Sequence, residues 1–237
     1  MTLTVGRRRL ITGASALVAY GTLERSAAAF VPTTLNPNDK ASAVTLSNGN
    51  LSMSIGGEVT FSGARTSASI SSGKTYFEMT ISAIPQQANV GIANSSLTLS
   101  GGNPDSSGTN VNCATFNQNG SFYYNSNSAS GTAAAMSTSS AMCFAFDLNA
   151  KLAWMRVGSG NWNNSGTANP TTGTGGFSFS SFSGPFYVVG VLNTGYYGSQ
   201  VMTFNFGATA FAQSVPTGFV GGFPPLSNNG APVEVND

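Results

Sequence analysis

Residues 141–162, AMCFAFDLNAKLAWMRVGSGNW, carry the strongest strand signal in the chain. Two apolar runs, residues 144–148 and 151–154, flank an Asn-Ala pair that favours a tight turn. A glycine-rich loop then leads to Trp162. The stretch predicts two neighbouring antiparallel strands, around which the rest of the chain supplies further strands of one sandwich.

Similar strand signals recur on both sides of this stretch. Alternating apolar and polar residues, or short apolar runs between turn formers, predict strands at residues 51–55, 59–61, 75–81, 89–93, 111–116, 121–124, 185–193 and 200–206. The Asn-Gly pair at 119–120 favours a hairpin turn because it accepts positive φ. Helical periodicity is not seen beyond the first 29 residues. The fold class is therefore predicted to be all-β, a two-sheet antiparallel sandwich.

The composition excludes several classes of function. Hydrophobic residues make up 41% of the 237 residues, but charged residues only 7%, against roughly 25% in ordinary soluble domains. From Phe30 onward five Lys or Arg stand against seven Asp or Glu, a net charge of about −2 with no basic cluster for phosphates. Histidine, the commonest general base and metal ligand, does not occur. We therefore set nucleic-acid binding aside and predict no cofactor and no metal. The neutral polar surface suits a secreted or virion protein.

The first 29 residues have the features of a leader or an arm. Residues 6–11, GRRRLI, resemble a twin-arginine export signal, and the small residues 26–29 offer a signal peptidase a cleavage site. The apolar run between them is too short for a good membrane span. Two interpretations stay open: export of the folded protein with cleavage of a leader, or an uncleaved arm that docks onto a larger assembly.

Turn-forming residues mark the borders of the predicted domain. Residues 30–50 contain two prolines and an Asn-Gly pair, which predict an extended linker. Strand signals fill residues 51–219, the predicted sandwich, and residues 220–237 form a tail rich in proline and glycine.

Six short motifs resemble those of the SPRY domain family in order and spacing, across residues 51–219. They are GKTYFE at 73–78, VGI at 90–92, NG at 119–120, FAFDLNAKLAW at 144–154, GNW at 160–162 and FNFG at 204–207, followed by Phe211. The usual glycine of the Asp-Leu strand is replaced by CFA at 143–145, and the loops are long and rich in Ser and Gly. The chain thus resembles the bacterial and phage-associated branch of the family. The resemblance implies a bent sandwich of the concanavalin A-like lectin type, which presents loops to a partner and has no catalytic activity.

A lectin-like sandwich can also host a glycosidase, which needs two carboxylates about 5 to 9 Å apart. The candidates are Glu58, Glu78, Asp105 and Asp147. Glu78 and Asp147 lie on motif strands, where the simpler interpretation is a structural carboxylate that accepts hydrogen bonds from turn backbone. The sequence has no nucleophile elbow, phosphate-binding loop or metal-ligand motif. A non-enzymatic protein is therefore predicted.

Trp162 is the main candidate for ligand contact, because an indole in a glycine-rich loop can stack on a sugar ring or anchor a protein partner. If their loops converge, the predicted site also includes Asn161, Tyr123, Tyr124, Tyr196 and Tyr197. The alternative is that Trp162 caps the sandwich and holds its own loop in place.

Cys113 and Cys143 both lie on predicted strands. They form a disulfide if the chain reaches an oxidising compartment before they are buried. They stay buried thiols if the protein folds in the cytosol. The sequence leaves both alternatives open.

Together these features predict a recognition or adhesion module displayed on a surface. The leading hypothesis is a fibre or decoration protein of a phage or prophage virion. Its arm would dock onto other virion or envelope proteins, its loops would bind a host-surface glycan or protein, and a homo-oligomer fits this role. The alternative is a twin-arginine-exported bacterial protein that binds a glycan or protein in the periplasm or outside the cell.

Overall fold

The computed structural model of the protein describes residues 32–56, 60–84, 87–104, 112–124, 131–181, 183–193 and 200–224. Their strands are β1 (Leu35–Lys40), β2 (Val44–Ser47), β3 (Ser52–Ile55), β4 (Ser62–Thr66), β5 (Lys74–Ile81), β6 (Gln87–Ala93), β7 (Cys113–Asn117), β8 (Phe122–Tyr124), β9 (Met142–Asp147), β10 (Leu152–Val157), β11 (Phe177–Ser178), β12 (Tyr187–Asn193), β13 (Val201–Asn205) and β14 (Val220–Gly221). Two single-turn 3-10 helices, Trp162–Asn164 and Pro170–Thr172, complete the regular structure of these ranges. No helix in them has the length and apolar character needed to cross a membrane. The predicted all-β class is confirmed.

The strands form two sheets packed face to face. The six-stranded sheet has the order β1-β4-β12-β6-β7-β8, and its neighbouring strands are antiparallel. The eight-stranded sheet has the order β11-β10-β9-β5-β13-β3-β2, and the short β14 pairs with β5 in the parallel sense. The antiparallel sandwich predicted from the sequence is confirmed, with β14 as a parallel addition.

The β9–β10 hairpin is the element that residues 141–162 predict. Its two strands pair in register along their whole length. Asp147 closes the turn, because its Oδ1 accepts the backbone amides of Asn149 and Ala150 at 3.1 and 2.9 Å. Since β5 pairs with the other side of β9, the hairpin lies inside the eight-stranded sheet and orders the strands around it.

Phenylalanine rings from both sheets fill the core. Phe77 of β5 stacks on Phe144 and Phe146 of β9, with ring centroids 5.1 and 6.1 Å apart. Phe116 of β7 approaches Phe144 from the opposite sheet at 6.1 Å. All four rings are fully buried, and each such burial contributes roughly 1.5–3 kcal/mol. The apolar residues of the predicted strands therefore hold the two sheets together.

Each sheet also buries part of its outer face. On the eight-stranded sheet, Tyr76, Cys143 and Trp154 form an apolar cluster that Phe219 helps to cover. Residues 208–219, called the strap below, run along this face. On the six-stranded sheet a separate cluster contains Cys113, Val189 and Val191, with Leu97 from the loop that follows β6.

The prediction of a linker at residues 30–50 is wrong for the described part, from residue 32 onward. β1 joins the six-stranded sheet, and β2 joins the eight-stranded sheet. The sequence of β1, LNPNDK, gives no strand signal because Leu35 is its only buried residue and because it contains a proline, which an edge strand tolerates. At the other end β14 lies beyond the predicted boundary at residue 219, so the sandwich is longer than predicted on both sides.

The remaining strand predictions mostly agree with the structure to within two residues at each end. The exception is the strand predicted at 59–61: Thr60 and Phe61 are not in a strand, and β4 begins at Ser62. All five residues of β4 are buried, and most of them are small. When a strand is buried on both faces, its residues do not alternate between apolar and polar. The sequence of β4 therefore carries no strand signal. The leader or arm predicted at residues 1–29 and the tail after residue 224 lie outside the described residues.

Candidate functional site

Trp162 lies against the outer face of the eight-stranded sheet. Its ring stacks with the guanidinium of Arg156, whose Cζ lies 4.5 Å from the ring centroid. Trp162 also packs, partly buried, on the cluster that contains Trp154. Asn161, just before it, is exposed and makes no side-chain cap bond. This is the arrangement of a cap that holds its own loop, and contact of Trp162 with a ligand stays a prediction.

Asn163 fixes this loop, although the sequence did not single it out. Its side chain is 5% exposed and accepts the amide of Met155 at 2.9 Å. It also donates to the carbonyls of Ala153 and Gly175 at 3.1 and 2.8 Å. Because three hydrogen bonds tie the loop to β10 and to residue 175, the position of Trp162 is set by the sandwich.

Glu78 holds the strap to the eight-stranded sheet. Its Oε1 accepts the hydroxyl of Tyr76 at 2.6 Å and the amide of Gln213 at 2.8 Å, and its Oε2 accepts the amide of Ala212 at 2.8 Å. Burial is the largest cause that raises the pKa of Tyr76, and the nearby Cys143 and Glu78 raise it further. This phenol therefore stays protonated and donates to Glu78. The geometry is that of a structural carboxylate.

Asp147 has a structural role of the same kind. Besides closing the β9–β10 turn, it forms an ion pair with Lys74, whose Nζ lies 3.0 Å from Oδ2. The side chain of Asp147 is only 6% exposed. Of the other two carboxylates weighed for a glycosidase, Glu58 and Asp105 lie outside the described residues.

The two described tyrosines of the predicted site, Tyr123 and Tyr124, do not join Trp162. Tyr124 faces the core, where its ring lies 6.4 Å from that of Phe122. Tyr123 points the other way and pairs in register with Thr115 on the six-stranded sheet. Trp162 and Tyr123 therefore lie on opposite outer faces of the sandwich. Tyr196 and Tyr197 lie outside the described residues.

The outer face of the six-stranded sheet buries polar side chains that have no partner. Val90 and Ile92 of β6 belong to the core, so alternation turns Asn89 to the outer face, as it does Thr115 of β7. Both are 0% exposed. Within the described part of the chain, neither amide atom of Asn89 nor the Oγ1 of Thr115 has a hydrogen bond. An unsatisfied buried polar group costs about 1–3 kcal/mol. Because both side chains are fully covered, a partner can use their hydrogen-bonding capacity only when the residues that cover them move aside.

Arg65 orders one border of this face, and no sequence pattern predicts this role. Its Nε and Nη2 donate to the two carboxylate oxygens of Asp39 at 2.8 and 2.7 Å. Its Nη1 donates to the carbonyls of Asn94 and Leu97 at 2.9 and 3.0 Å. Arg65 is 6% exposed, and it therefore fixes the loop after β6 relative to β1 and β4. A lone arginine and a distant aspartate in the sequence gave no signal of this ion pair.

Cys113 and Cys143 form no disulfide and are buried as thiols. Cys113 belongs to the outer cluster of the six-stranded sheet, and Cys143 to the outer cluster of the eight-stranded sheet. The core lies between them, so the disulfide alternative is wrong for geometric reasons. Burial raises the pKa of the Cys143 thiol. Within the described ranges no group of three or more His, Cys, Asp or Glu could hold a metal ion.

Among the solved structures with a similar fold are SPRY domains. The SPRY domain of human HERC1 matches with a TM-score of 0.57 and 11% identity, over 74% of this chain and 99% of that domain. Another human SPRY domain matches with a TM-score of 0.51 and 10% identity, over 71% of this chain and 98% of that one. The fold is the SPRY fold.

A third similar structure, stonustoxin, has a TM-score of 0.50 and 15% identity, over 74% of this chain but only 27% of the toxin. No family model and no curated protein matches the sequence. At such low identities the likeness establishes the SPRY fold alone. The resemblance read from the six sequence motifs is confirmed at the level of the fold, whereas the bacterial and phage-associated branch and the twin-arginine leader stay predictions.

Proposed function

We propose that the protein is a non-enzymatic recognition module that binds a glycan or protein across the outer face of the six-stranded sheet. We further propose that it is displayed on a phage or prophage virion, as a fibre or decoration protein whose binding loops face the host. The observation that carries the recognition face is the burial of Asn89 and Thr115 without hydrogen-bond partners.

A buried polar group without a partner reduces stability and calls for an explanation, and we propose that here the explanation is a binding function. Asn89 offers two donors and an acceptor, and the hydroxyl of Thr115 can donate or accept. Tyr123, half-buried beside Thr115, adds an aromatic ring of the kind that anchors partners. These groups are neutral, which suits the amide and hydroxyl groups of proteins and glycans.

The test uses the Thr115→Val variant, which removes the hydroxyl and keeps the shape. Binding is measured on arrays of bacterial surface glycans and on whole bacterial cells, and stability by chemical denaturation. We expect Thr115→Val to raise the free energy of unfolding by about 1 kcal/mol, since an unsatisfied group is removed, and to weaken binding. A variant with unchanged binding would overturn the recognition face.

Thr75→Val is the matched control. Thr75 is as buried as Thr115, but its hydroxyl donates to the carbonyl of Gly222 at 2.7 Å. The same substitution should therefore lower stability by about 1 kcal/mol and leave binding intact. Tyr123→Ala and Trp162→Ala compare the two outer faces directly. Loss of binding in Trp162→Ala alone would move the site to the eight-stranded sheet.

A second candidate function has a specific feature in its favour. The GRRRLI motif at residues 6–11 and the small residues at 26–29 support a twin-arginine-exported binding protein of the periplasm or cell exterior. Intact-mass analysis of the native protein distinguishes a virion protein with an uncleaved arm from an exported protein whose leader is cleaved. A chain that starts near Ala29 or Phe30 would contradict the docking arm, and a chain that starts at Met1 within purified particles would contradict export.

A further inference from the structure

A groove of about 360 Å³ lies on the outer face of the eight-stranded sheet, opposite the proposed recognition face. Thr80 of β5 and Thr203 of β13, which pair in register, contribute to its floor. Residues 208–212 of the strap form one wall, and Asn48 and Leu51 of the β2–β3 turn also line it. Its volume is at the lower end of the roughly 300–1,000 Å³ typical of ligand pockets.

The strap wall is held in place by side chains of the sheet. The side-chain amide of Asn205 donates to the carbonyls of Thr209 and Ala210 at 3.2 and 3.1 Å. Its Oδ1 accepts the amide of Gly207 at 3.0 Å. Glu78 accepts the next backbone amides along the strap. The groove is therefore preformed, and a ligand would not have to order it.

The lining combines neutral polar groups with methyl groups. Among the described residues that line the groove, Glu78 is the only charged side chain. Glu78 is 3% exposed, and both of its oxygens accept hydrogen bonds from Tyr76 or the strap. Thr80 is exposed, and its hydroxyl is bonded to no described residue, while the hydroxyl of Thr203 lies 2.8 Å from that of Ser52.

The ligand class follows from this chemistry. A carboxylate is the one charged group among the described residues that line the groove, and its negative charge disfavours phosphates and other anions. Hydroxyl groups on the floor and the methyl groups of alanines in the strap match a ligand with hydroxyls on one side and C–H groups on the other. We infer that this groove is a second binding site, for a neutral monosaccharide or disaccharide unit. The site is independent of the recognition face proposed above.

Saturation-transfer NMR on the full chain tests this site, with neutral monosaccharides, neutral disaccharides and sugar phosphates as probes. We expect at least one neutral saccharide to bind, and Ala210→Trp, which fills the groove from the strap, to abolish binding. Thr80→Val should weaken binding by about fivefold to tenfold, the equivalent of one net hydrogen bond. Thr45→Val, an exposed threonine of β2 outside the groove, should leave binding unchanged.

Three outcomes would overturn the inference. They are binding of none of the neutral saccharides, a preference for sugar phosphates, and saccharide binding that survives Ala210→Trp. If saccharide binding survives Ala210→Trp but is lost in Tyr123→Ala, the sugar binds to the six-stranded sheet. That result would support the proposed recognition face and contradict the site in the groove. The two proposals can therefore fail separately.

Discussion

Glu78 shows how one side chain ties distant parts of the chain together. The sequence predicts it as a structural carboxylate, since it ends the GKTYFE motif, and the hydrogen bonds are of that kind. Its donors, Ala212 and Gln213, could not be predicted, because 134 and 135 positions separate them from Glu78. Periodicity reports which face of a strand is buried, and it does not report which segment covers that face.

Replacing Glu78 with glutamine should loosen the strap. Glu78→Gln removes the charge and places a donor group next to the amides of Ala212 and Gln213, at a cost of about 1–3 kcal/mol. The strap packs on the cluster that contains Cys143, so local opening should expose this thiol. Alkylation followed by peptide mass spectrometry should show faster labelling of Cys143 than in the unmodified protein.

Cys113 is the internal control for this experiment. It is equally buried but lies on the other sheet, away from the strap. Its labelling rate should change only as much as the global stability changes. If both cysteines are labelled faster by the same factor, Glu78 stabilises the whole fold and has no specific hold on the strap.

At the scale of elements, the sequence predicts strands that alternate and misses strands that do not. β5 and β9 carry large apolar side chains on the core face, and both were found. β1 and β4 lack that pattern and were missed, although they place Asp39 and Arg65 together. The residues of the proposed recognition face follow the same rule, because only those with a recognisable sequence signal can be predicted. Tyr123 is predictable because it is aromatic. Asn89 and Thr115 are not, because no sequence pattern shows which neutral side chain will be buried without a partner.

Gly91 sets the distance between β6 and β7. A Cβ at this position would lie 2.1 Å from the carbonyl oxygen of Ala114 and 2.8 Å from the Cα of Thr115. Backbone atoms cannot turn aside, so the strands would have to separate. We expect Gly91→Ala to lower the free energy of unfolding by about 1–3 kcal/mol in urea denaturation.

Gly166 provides the comparison. A Cβ there meets nothing within 4 Å, so Gly166→Ala should change stability by no more than about 0.5 kcal/mol. Equal effects of the two substitutions would show that β6 and β7 tolerate the extra carbon and that the close approach at Gly91 has no energetic role.

At the scale of the whole molecule, the two ends of the described chain meet. The amide of Thr33 donates to the carbonyl of Phe223 at 3.4 Å, and β14 pairs with β5 just before that point. Whatever precedes residue 32 and follows residue 224 therefore leaves the sandwich from one place. Terminal proximity is common in domains.

The domain boundary can be tested by shortening the chain. A chain of residues 32–224 keeps every described strand, so we expect it to retain the urea midpoint of the full chain. A chain of residues 51–219, the boundary predicted from sequence, loses β1, β2 and β14. Arg65 then loses its ion pair with Asp39, and the core loses the buried side chains of Leu35 and Val44, each of which contributes roughly 1.5–3 kcal/mol.

The hydroxyl of Thr75 also loses its acceptor at Gly222 in this shorter chain, which adds about 1 kcal/mol. Folded domains are stable by only about 5–15 kcal/mol, so residues 51–219 should lose a large part of their stability and unfold at a much lower urea concentration than residues 32–224, as circular dichroism would show. A chain of residues 51–224 restores β14 but not β1 or β2, and it should remain unstable if the Arg65 ion pair dominates. Equal midpoints for 51–219 and 32–224 would contradict the structural boundary and favour the one read from the strand motifs.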